Sequence, residues 1–341
     1  MTRAENTLAI GERIVGAGNP AFIIAEAGSC HDGKFSQAIE LIDAAAEAGA
    51  DAVKFQFFTA EGLYLREDPR FEAVKPYETP RAWIPELATH ARQRGIMFSA
   101  SPFDPESADL LVEAGAPFLK IASPEIRDVP LMRHCAASGL PLVVSTGVCT
   151  LADVDRALHC LFEAGALDLV LLHCVSIYPA SPVDLNLRAI ETLHRAFGLP
   201  VGLSDHSMST TIPAVAVALG ACVIEKHLTL DRSLEGPDHQ ISVEVSEFAA
   251  MVNAIREVEV ALGSPHKRII EGKERPDLHE KSIVARVDIA AGEAITADKV
   301  AVKRAQKGID PFLLDEVIGR AALADISRDS LITLDDLGKR V

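Results

Sequence analysis

Gly202-Leu203-Ser204-Asp205-His206 and Val223-Ile224-Glu225-Lys226-His227 are two short apolar runs, each breaking off abruptly into charged and imidazole side chains. Between them, Thr210 to Gly220 is alanine-rich with helical spacing. The unit reads as strand, helix, strand, with a histidine at the exit of each strand. Neighbouring parallel strands would hold His206 and His227 side by side at one rim. That arrangement suits a divalent cation with positions left open for substrate. Two isolated histidines are more often incidental, so the rest of the rim decides.

Outward from this unit, the chain repeats the same alternation. Ala21 to Ala25 is a buried-strand run ended by Glu26, followed by the loop Ala27 to Gly33 and a helix from Phe35 to Ala48. Ala52 to Gln56 is the next strand. The connection from Phe57 to Arg81, with Pro69, Pro76 and Pro80, has the length of a lid or binding loop. Helix Trp83 to Arg94, strand Met97 to Ser101 and helix Pro105 to Ala114 follow. Strand Phe118 to Ile121 runs into Ala122-Ser123-Pro124-Glu125. Helix Pro130 to Ser138, strand Pro141 to Ser145, helix Leu151 to Ala164, strand Leu169 to His173 and helix Leu187 to Ala196 lead into the opening pair. Helix Val245 to Leu262 closes the series. Eight strand-helix units in about 250 residues predict an α/β fold of the TIM (β/α)8 barrel type over residues 1–265. A doubly wound open sheet is the alternative, but no GxGxxG follows the first strand. Residues 266–281 read as a charged, proline-containing linker, and 282–341 as a small second domain. Its strand Ser282 to Ile289, turn at Ala291-Gly292-Glu293 and short helix Pro311 to Ile318 make a core too small to stand easily alone.

The chain has 341 residues, 48% of them apolar, enough to bury a large core. A net charge of -16 excludes nucleic acid and anionic membrane surfaces as partners. An anionic substrate therefore needs a local cluster of cations. Six scattered cysteines without a CxxC pair suit reduced thiols. With no apolar run of signal-peptide or membrane-spanning length, the expected location is cytoplasmic.

The active sites of such barrels lie at the carboxyl ends of the strands. Those ends carry Glu26, Lys54 with Gln56, Ser101, Lys120 with Ser123 and Glu125, Ser145, His173, Ser204 with His206, and Glu225 with His227. Two lysines among hydroxyls form a cradle for a phosphate and a carboxylate. Two imidazoles suit a transition-type divalent ion, manganese before magnesium or cobalt. Glu26 and Glu125 are candidate acids or bases, their pKa open to elevation by the barrel walls. Any one of these residues has an ordinary structural use; the joint pattern on one rim is the signal. Within its strand, Lys226 faces opposite to Glu225 and His227, toward the outer helices.

At these residues the chain resembles the sialic acid (N-acetylneuraminate) synthase family. The resemblance runs from about Phe22 to Leu337 through Ala25-Glu26-Ala27-Gly28 with His31-Asp32-Gly33, Ala50 to Gln56, Lys120-Ile121-Ala122-Ser123 and Ser145-Thr146-Gly147. It continues through Leu172-His173-Cys174, Ser204-Asp205-His206, Glu225-Lys226-His227 and Gly236-Pro237-Asp238. It implies a TIM barrel followed by a C-terminal antifreeze-like (SAF) domain, and condensation of phosphoenolpyruvate with N-acetylmannosamine or a related acylamino hexose. It further implies His206 and His227 as metal ligands, and Lys54, Ser101, Lys120, Ser123, Ser145 and Ser204 as the phosphoenolpyruvate site. Glu26 and Glu125 match acidic residues near the reacting centre, and Tyr178 and Asp238 match sugar contacts. Lys303-Arg304 with Gly308-Ile309 resembles an arm whose arginine reaches the partner's barrel, which implies a domain-swapped homodimer. Cys30 and Asp32 replace the family's asparagines, Pro124 replaces a glycine, and Ala305-Gln306 replaces Pro-Gly. Phe98 to Phe103, and Thr79-Pro80 before Trp83, resemble the pseudaminic acid branch, so a synthase for pseudaminic- or legionaminic-type acids is the close alternative. Two other readings are a Schiff-base aldolase using Lys120 or Lys226 and a non-catalytic sugar-binding protein.

Overall fold

The computed structural model describes residues 7–267, 280–305 and 308–341. The chain divides into two compact units, Met1–Gly263 and Ser264–Val341. Most of the linker expected over 266–281, and Gln306, lie outside the described residues.

The first unit opens with a hairpin of β1 (Thr7–Ile10) and β2 (Arg13–Gly16) turning at Gly11. Eight parallel strands follow among the described residues: β3 (Phe22–Gly28), β4 (Ala52–Phe57), β5 (Met97–Pro102), β6 (Leu119–Ile121), β7 (Leu142–Ser145), β8 (Leu169–Cys174), β9 (Val201–Asp205) and β10 (Val223–Thr229). They pair in the order β5-β4-β3-β10-β9-β8-β7-β6, a nearly closed barrel. At the seam between β5 and β6 the Ser99 hydroxyl donates to the Phe118 carbonyl at 2.6 Å, bridging where no ladder is described. A two-residue strand, β11 (Val243–Glu244), extends β10.

The helices wrap the strands: α1 (Phe35–Glu47), the short α2 (Ala60–Leu63) and α3 (Pro69–Val74), then α4 (Ile84–Gln93), α5 (Pro105–Glu113), α6 (Val129–Ala137), α7 (Leu151–Glu163), α8 (Ala189–Phe197), α9 (Ile212–Ala218) and α10 (Val245–Leu262). Asp104, Asp128 and Thr150 side chains accept from the first-turn amides of α5, α6 and α7, so the sequence sets these starts itself. The long connection after β4 is thus an ordered cover built on α2 and α3.

Alternation along the strands separates two apolar layers. Ile23, Ala25, Val53, Phe55 and Phe98 face the helices in the main core. Phe22, Ala52, Phe118, Val143, Val170 and Val223 fill the barrel floor together with Leu8, Ile10 and Val15 of the hairpin. Arg13 holds the hairpin to Asp51, which also pairs with Arg256. The interior is closed from below and polar only in its upper layers.

The second unit pairs β12 (Lys281–Ala285) with β13 (Val300–Arg304) and β14 (Arg320–Ala322) with β15 (Leu337–Arg340), around Ile283, Ile295, Val317 and Ile332. Its one α-helix among the described residues is the four-residue α11 (Leu314–Val317), inside the span expected to be helical. No helix of the described residues is long and apolar enough to cross a membrane.

Candidate active site

One or two steps up each strand from the apolar floor, the same inward face turns polar. Register then joins these positions: Glu26 lies opposite Lys54 on β4 and opposite His227 on β10, Gln56 opposite Ser101, and Glu225 opposite Ser204. The result is a cavity of about 500 Å³ at the carboxyl end of the barrel. Glu26, Lys54, Ser101, Lys120, Ser123, Glu125, Ser145, Tyr178, Ser204, His206 and His227 all line it.

A buried charge cluster forms the bottom of this cavity. Lys54 pairs with Glu26, donates to Ser101 Oγ at 3.2 Å and lies 3.8 Å from Glu225. Lys120 lies 3.8 Å from the other oxygen of Glu225 and donates to the Ile121 carbonyl. Ser204 donates to Glu225 at 2.9 Å, and Gln56 to Glu26 at 2.7 Å. Burial favours a neutral Glu225, but Lys120, Lys54 and Ser204 outweigh it and hold the carboxyl down at about 2. Burial raises Glu26, Lys54 opposes, and the Glu225 charge adds to the rise. Lys120 is lowered by burial, with Lys54 adding to the effect and Glu225 opposing it. Sequence reading places Glu225 on the rim but gives it no role. Its signal was the shared face with His227; that it stands between the two lysines needed the register of β9 and β10.

His206 and His227 stand with ring centroids 5.5 Å apart. His206 Nδ1 is 2.8 Å from the Val175 carbonyl, so that nitrogen carries a proton; burial opposes a charged ring, but Cys174, the Val175 carbonyl and Glu225 outweigh it and raise the pKa. Burial keeps His227 neutral, its pKa lowered to about 4 against the opposing charge of Asp238. Tyr178 stacks on His206 at 4.1 Å and meets His227 edge-on at 6.1 Å. Among the described residues no cluster of three or more His, Cys, Asp or Glu has metal-binding spacing. His206 and His227 thus stand side by side at the cavity wall, two imidazoles without a third such ligand among the described residues.

Buried side-chain atoms without a hydrogen-bond partner concentrate here. Among the described residues they are Glu125 Oε2, Ser145 Oγ and His227 Nδ1 on this cavity, with Arg232 Nε elsewhere; Glu26 Oε2 and Glu225 Oε2 meet only the Lys54 ammonium, as ion pairs. Buried polar groups are ordinarily paired, so this concentration is what a ligand site looks like. Burial also raises Glu125 to about 7.

Close backbone approach shapes two of the loops. A Cβ on Gly147 would lie 2.3 Å from Ser176 Oγ and 2.7 Å from Ser123 Oγ, and its amide donates to Ser123. Gly28, at φ 51°, brings the first loop so near Asp238 that a Cβ would lie 2.4 Å from its carboxylate. Asp238 accepts from the Ser29 amide and hydroxyl, both at 2.7 Å, and is not among the residues lining the cavity. Arg304 belongs to the second unit, exposed at the end of β13 opposite Lys281. Lys226 lies outside the barrel wall, donating to Asp205 at 2.6 Å and to the carbonyls of Ser207 and Ser209. It has no access to the cavity as a nucleophile. His173 likewise turns away, bonded to the Leu185 carbonyl at 2.6 Å.

Residues 41–267 match the model of the NeuB family, and 280–338 that of the SAF domain. The chain belongs to the NeuB family. An N,N'-diacetyllegionaminic acid synthase of Legionella pneumophila is 40% identical, over 92% of this chain and 93% of that protein. A pseudaminic acid synthase of Campylobacter jejuni is 36% identical, over 89% and 93%. The crystal structure of an N-acetylneuraminic acid (sialic acid) synthetase from Leptospira borgpetersenii, in complex with citrate, superposes with a TM-score of 0.75 at 36% identity. It covers 80% of this chain and 98% of its own. The NeuB barrel and SAF domain expected from the sequence are both present.

Proposed function

We propose that this NeuB-family protein condenses phosphoenolpyruvate with N-acetylmannosamine or a related acylamino hexose, giving a nine-carbon 2-keto-3-deoxy sugar acid and phosphate. The observation that carries the reading is the convergence of Lys54, Lys120, Glu26, Glu125, Glu225, His206 and His227 on one cavity, where Glu125 Oε2, Ser145 Oγ and His227 Nδ1 are buried without partners. Lys54 and Lys120, with Ser101, Ser123, Ser145 and Ser204, hold the phosphate and carboxylate. His206 and His227 would hold a divalent cation, with manganese the expected ion. When bound, it supplies Lewis-acid polarisation of the sugar carbonyl.

The enol π electrons form the new bond to the aldehyde carbon, whose oxygen takes a proton. The carbon left bearing the phosphate gains oxocarbenium character, and water adds to it. A carboxylate takes the water's proton, and the C–O bond to phosphate breaks as the ketone forms. Glu125, with a pKa near 7, is suited to that transfer, and Glu26 is the second candidate. Glu225 holds the lysines at their spacing. We also propose that the protein works as a domain-swapped homodimer, Arg304 serving the partner's barrel.

The test is turnover of phosphoenolpyruvate and acylated hexosamine, with manganese, in oxygen-18 water. Label in the sugar acid and none in the phosphate is the expected result; label in phosphate overturns the reading.

A further inference from the structure

The loop that leaves β3 and the loop that leaves β10 are hooked into one another. His239, fully buried, donates from Nε2 to Asp32 Oδ1 at 2.9 Å, since a carboxylate can only accept. Its other nitrogen, Nδ1, lies 2.6 Å from the hydroxyl of Thr229, the last residue of β10. Gln37 of α1 donates to the second Asp32 oxygen at 2.8 Å. Gly236, at φ 152°, closes over the pair: a Cβ there would lie 2.9 Å from His239 Cδ2 and 3.0 Å from Asp32 Oδ1. Asp32 itself stands at φ 51°, a left-handed conformation that Asp tolerates better than most residues. Backbone in such a state persists where its surroundings over-determine it, as they do here from three sides.

The neighbouring residue extends the link to the cover. His31 is fully buried and neutral, its pKa lowered to about 4 by burial against the opposing charges of Asp32 and Asp238. The Gly33 amide donates to its Nδ1 at 3.0 Å, so Nε2 carries the proton and donates to the Thr79 hydroxyl at 2.8 Å. Thr79 follows Glu78, whose carboxylate accepts from the Ala60 amide at 2.8 Å and ties the two ends of the cover together.

His31, Asp32 and His239 are not among the residues lining the cavity, yet every segment they join contributes to it. The first strand gives Glu26, β10 gives His227, and the cover gives Leu63 and Val74. The lysines and hydroxyls assigned above to phosphoenolpyruvate come instead from β4 to β7, the loop after β6, and β9.

We propose that Asp32 and His239 are positioning residues for the sugar acceptor. Their hydrogen bond clasps the exit of β10 to the first loop, and through His31 to the cover. It thereby sets where the acceptor meets His227 while touching neither substrate. The inference rests on the synthase reading and adds to it a pair of residues outside the cavity.

Full-length wild type, His239→Leu and Asp32→Asn are compared in three measurements. Leucine fills the place of the imidazole without a donor; asparagine keeps a carbonyl for His239 and drops the charge. In His239→Leu, amide hydrogen exchange is expected to speed up over 58–79 and 229–242 while strands β4 to β8 keep wild-type protection. With phosphoenolpyruvate and manganese, KM for the acylated hexosamine that wild type turns over is expected to rise about tenfold or more, as a small misplacement far from the chemistry allows. Calorimetric affinity for phosphoenolpyruvate is expected to stay at the wild-type value. Asp32→Asn is expected to match wild type in all three.

Unchanged exchange or unchanged acceptor KM in His239→Leu overturns the proposal. Faster exchange in every strand also overturns it, because the pair would then be a stability contact alone. So does an Asp32→Asn variant as impaired as His239→Leu, since charge and not the hydrogen bond would be at work. Absence of turnover by wild type overturns the synthase reading, and the exchange pattern then decides the clasp by itself.

Discussion

At the scale of single residues, the site is a set of charges whose protonation is set by burial and by one another. Glu125 shows it most plainly, because burial dominates and lifts its carboxyl from an ordinary 4.5 to about 7. A group raised on folding contributes stability that is present below its unfolded value and lost as pH rises through its folded one. Wild type should therefore lose stability between about pH 4.5 and 7 relative to Glu125→Gln. Above pH 8 the variant should be the more stable by as much as ~3 kcal/mol. If Glu125 takes the proton from water, kcat/KM of wild type rises through about pH 7, and Glu125→Gln loses both that limb and most of the rate. Urea denaturation at several pH values and a pH–rate profile check the pair. A limb that survives in the variant assigns the proton to another group.

Much of this chemistry was legible in the sequence, because period-two alternation fixes which side chains share a strand's inner face. Lys54, Lys120, His206 and His227 needed only that. The place of Glu225 between the two lysines did not follow, since it depends on which strands neighbour β10, and pairing order is not written in any one strand.

Among the elements, β9 and β10 are pinned from outside as well as inside. Asp205 and Lys226 form a buried ion pair on the outer face, completed by the Ser207 and Ser209 carbonyls. Asp205 also accepts from the Ser207 amide at 2.9 Å, fixing the turn that carries His206. Removing one partner strands the other charge away from water. Asp205→Ala should cost about 3–5 kcal/mol, seen as a fall in melting temperature of roughly 10 °C. The double replacement Asp205→Leu with Lys226→Met should recover most of it. A single variant as stable as wild type would mean that Lys226 finds water.

Sequence periodicity located the barrel strands and the long helices because each repeats its pattern over several residues. It did not show the β1–β2 hairpin, whose strands are four residues each, nor the helices α2 and α3 inside a proline-rich connection. Segments so short carry their signal in what they pack against.

For the whole molecule, the net charge of -16 and the polyanionic substrate proposed for it would be reconciled by gathering two buried lysines inside the barrel. The second unit's contribution is tested by complementation. Lys120→Ala and Arg304→Ala should each be nearly inactive. Mixed and reassociated, the two should regain about a quarter of wild-type activity, since half the dimers carry one site with both residues intact. No recovery, with each variant still dimeric, places Arg304 beside its own barrel. Neither the role proposed for Arg304 nor the proposed dimer follows from strand periodicity, which is blind to a second chain.

The floor sealed by Phe22, Phe118, Val143 and the hairpin makes the reaction chamber a cul-de-sac. Whatever sits among the lysines must be inside before anything settles against the cover, and cannot leave past it. On the proposed chemistry the phosphate donor therefore enters first and the sugar corks it in. The queue is imposed by a β-hairpin on the far side of the barrel that touches neither substrate.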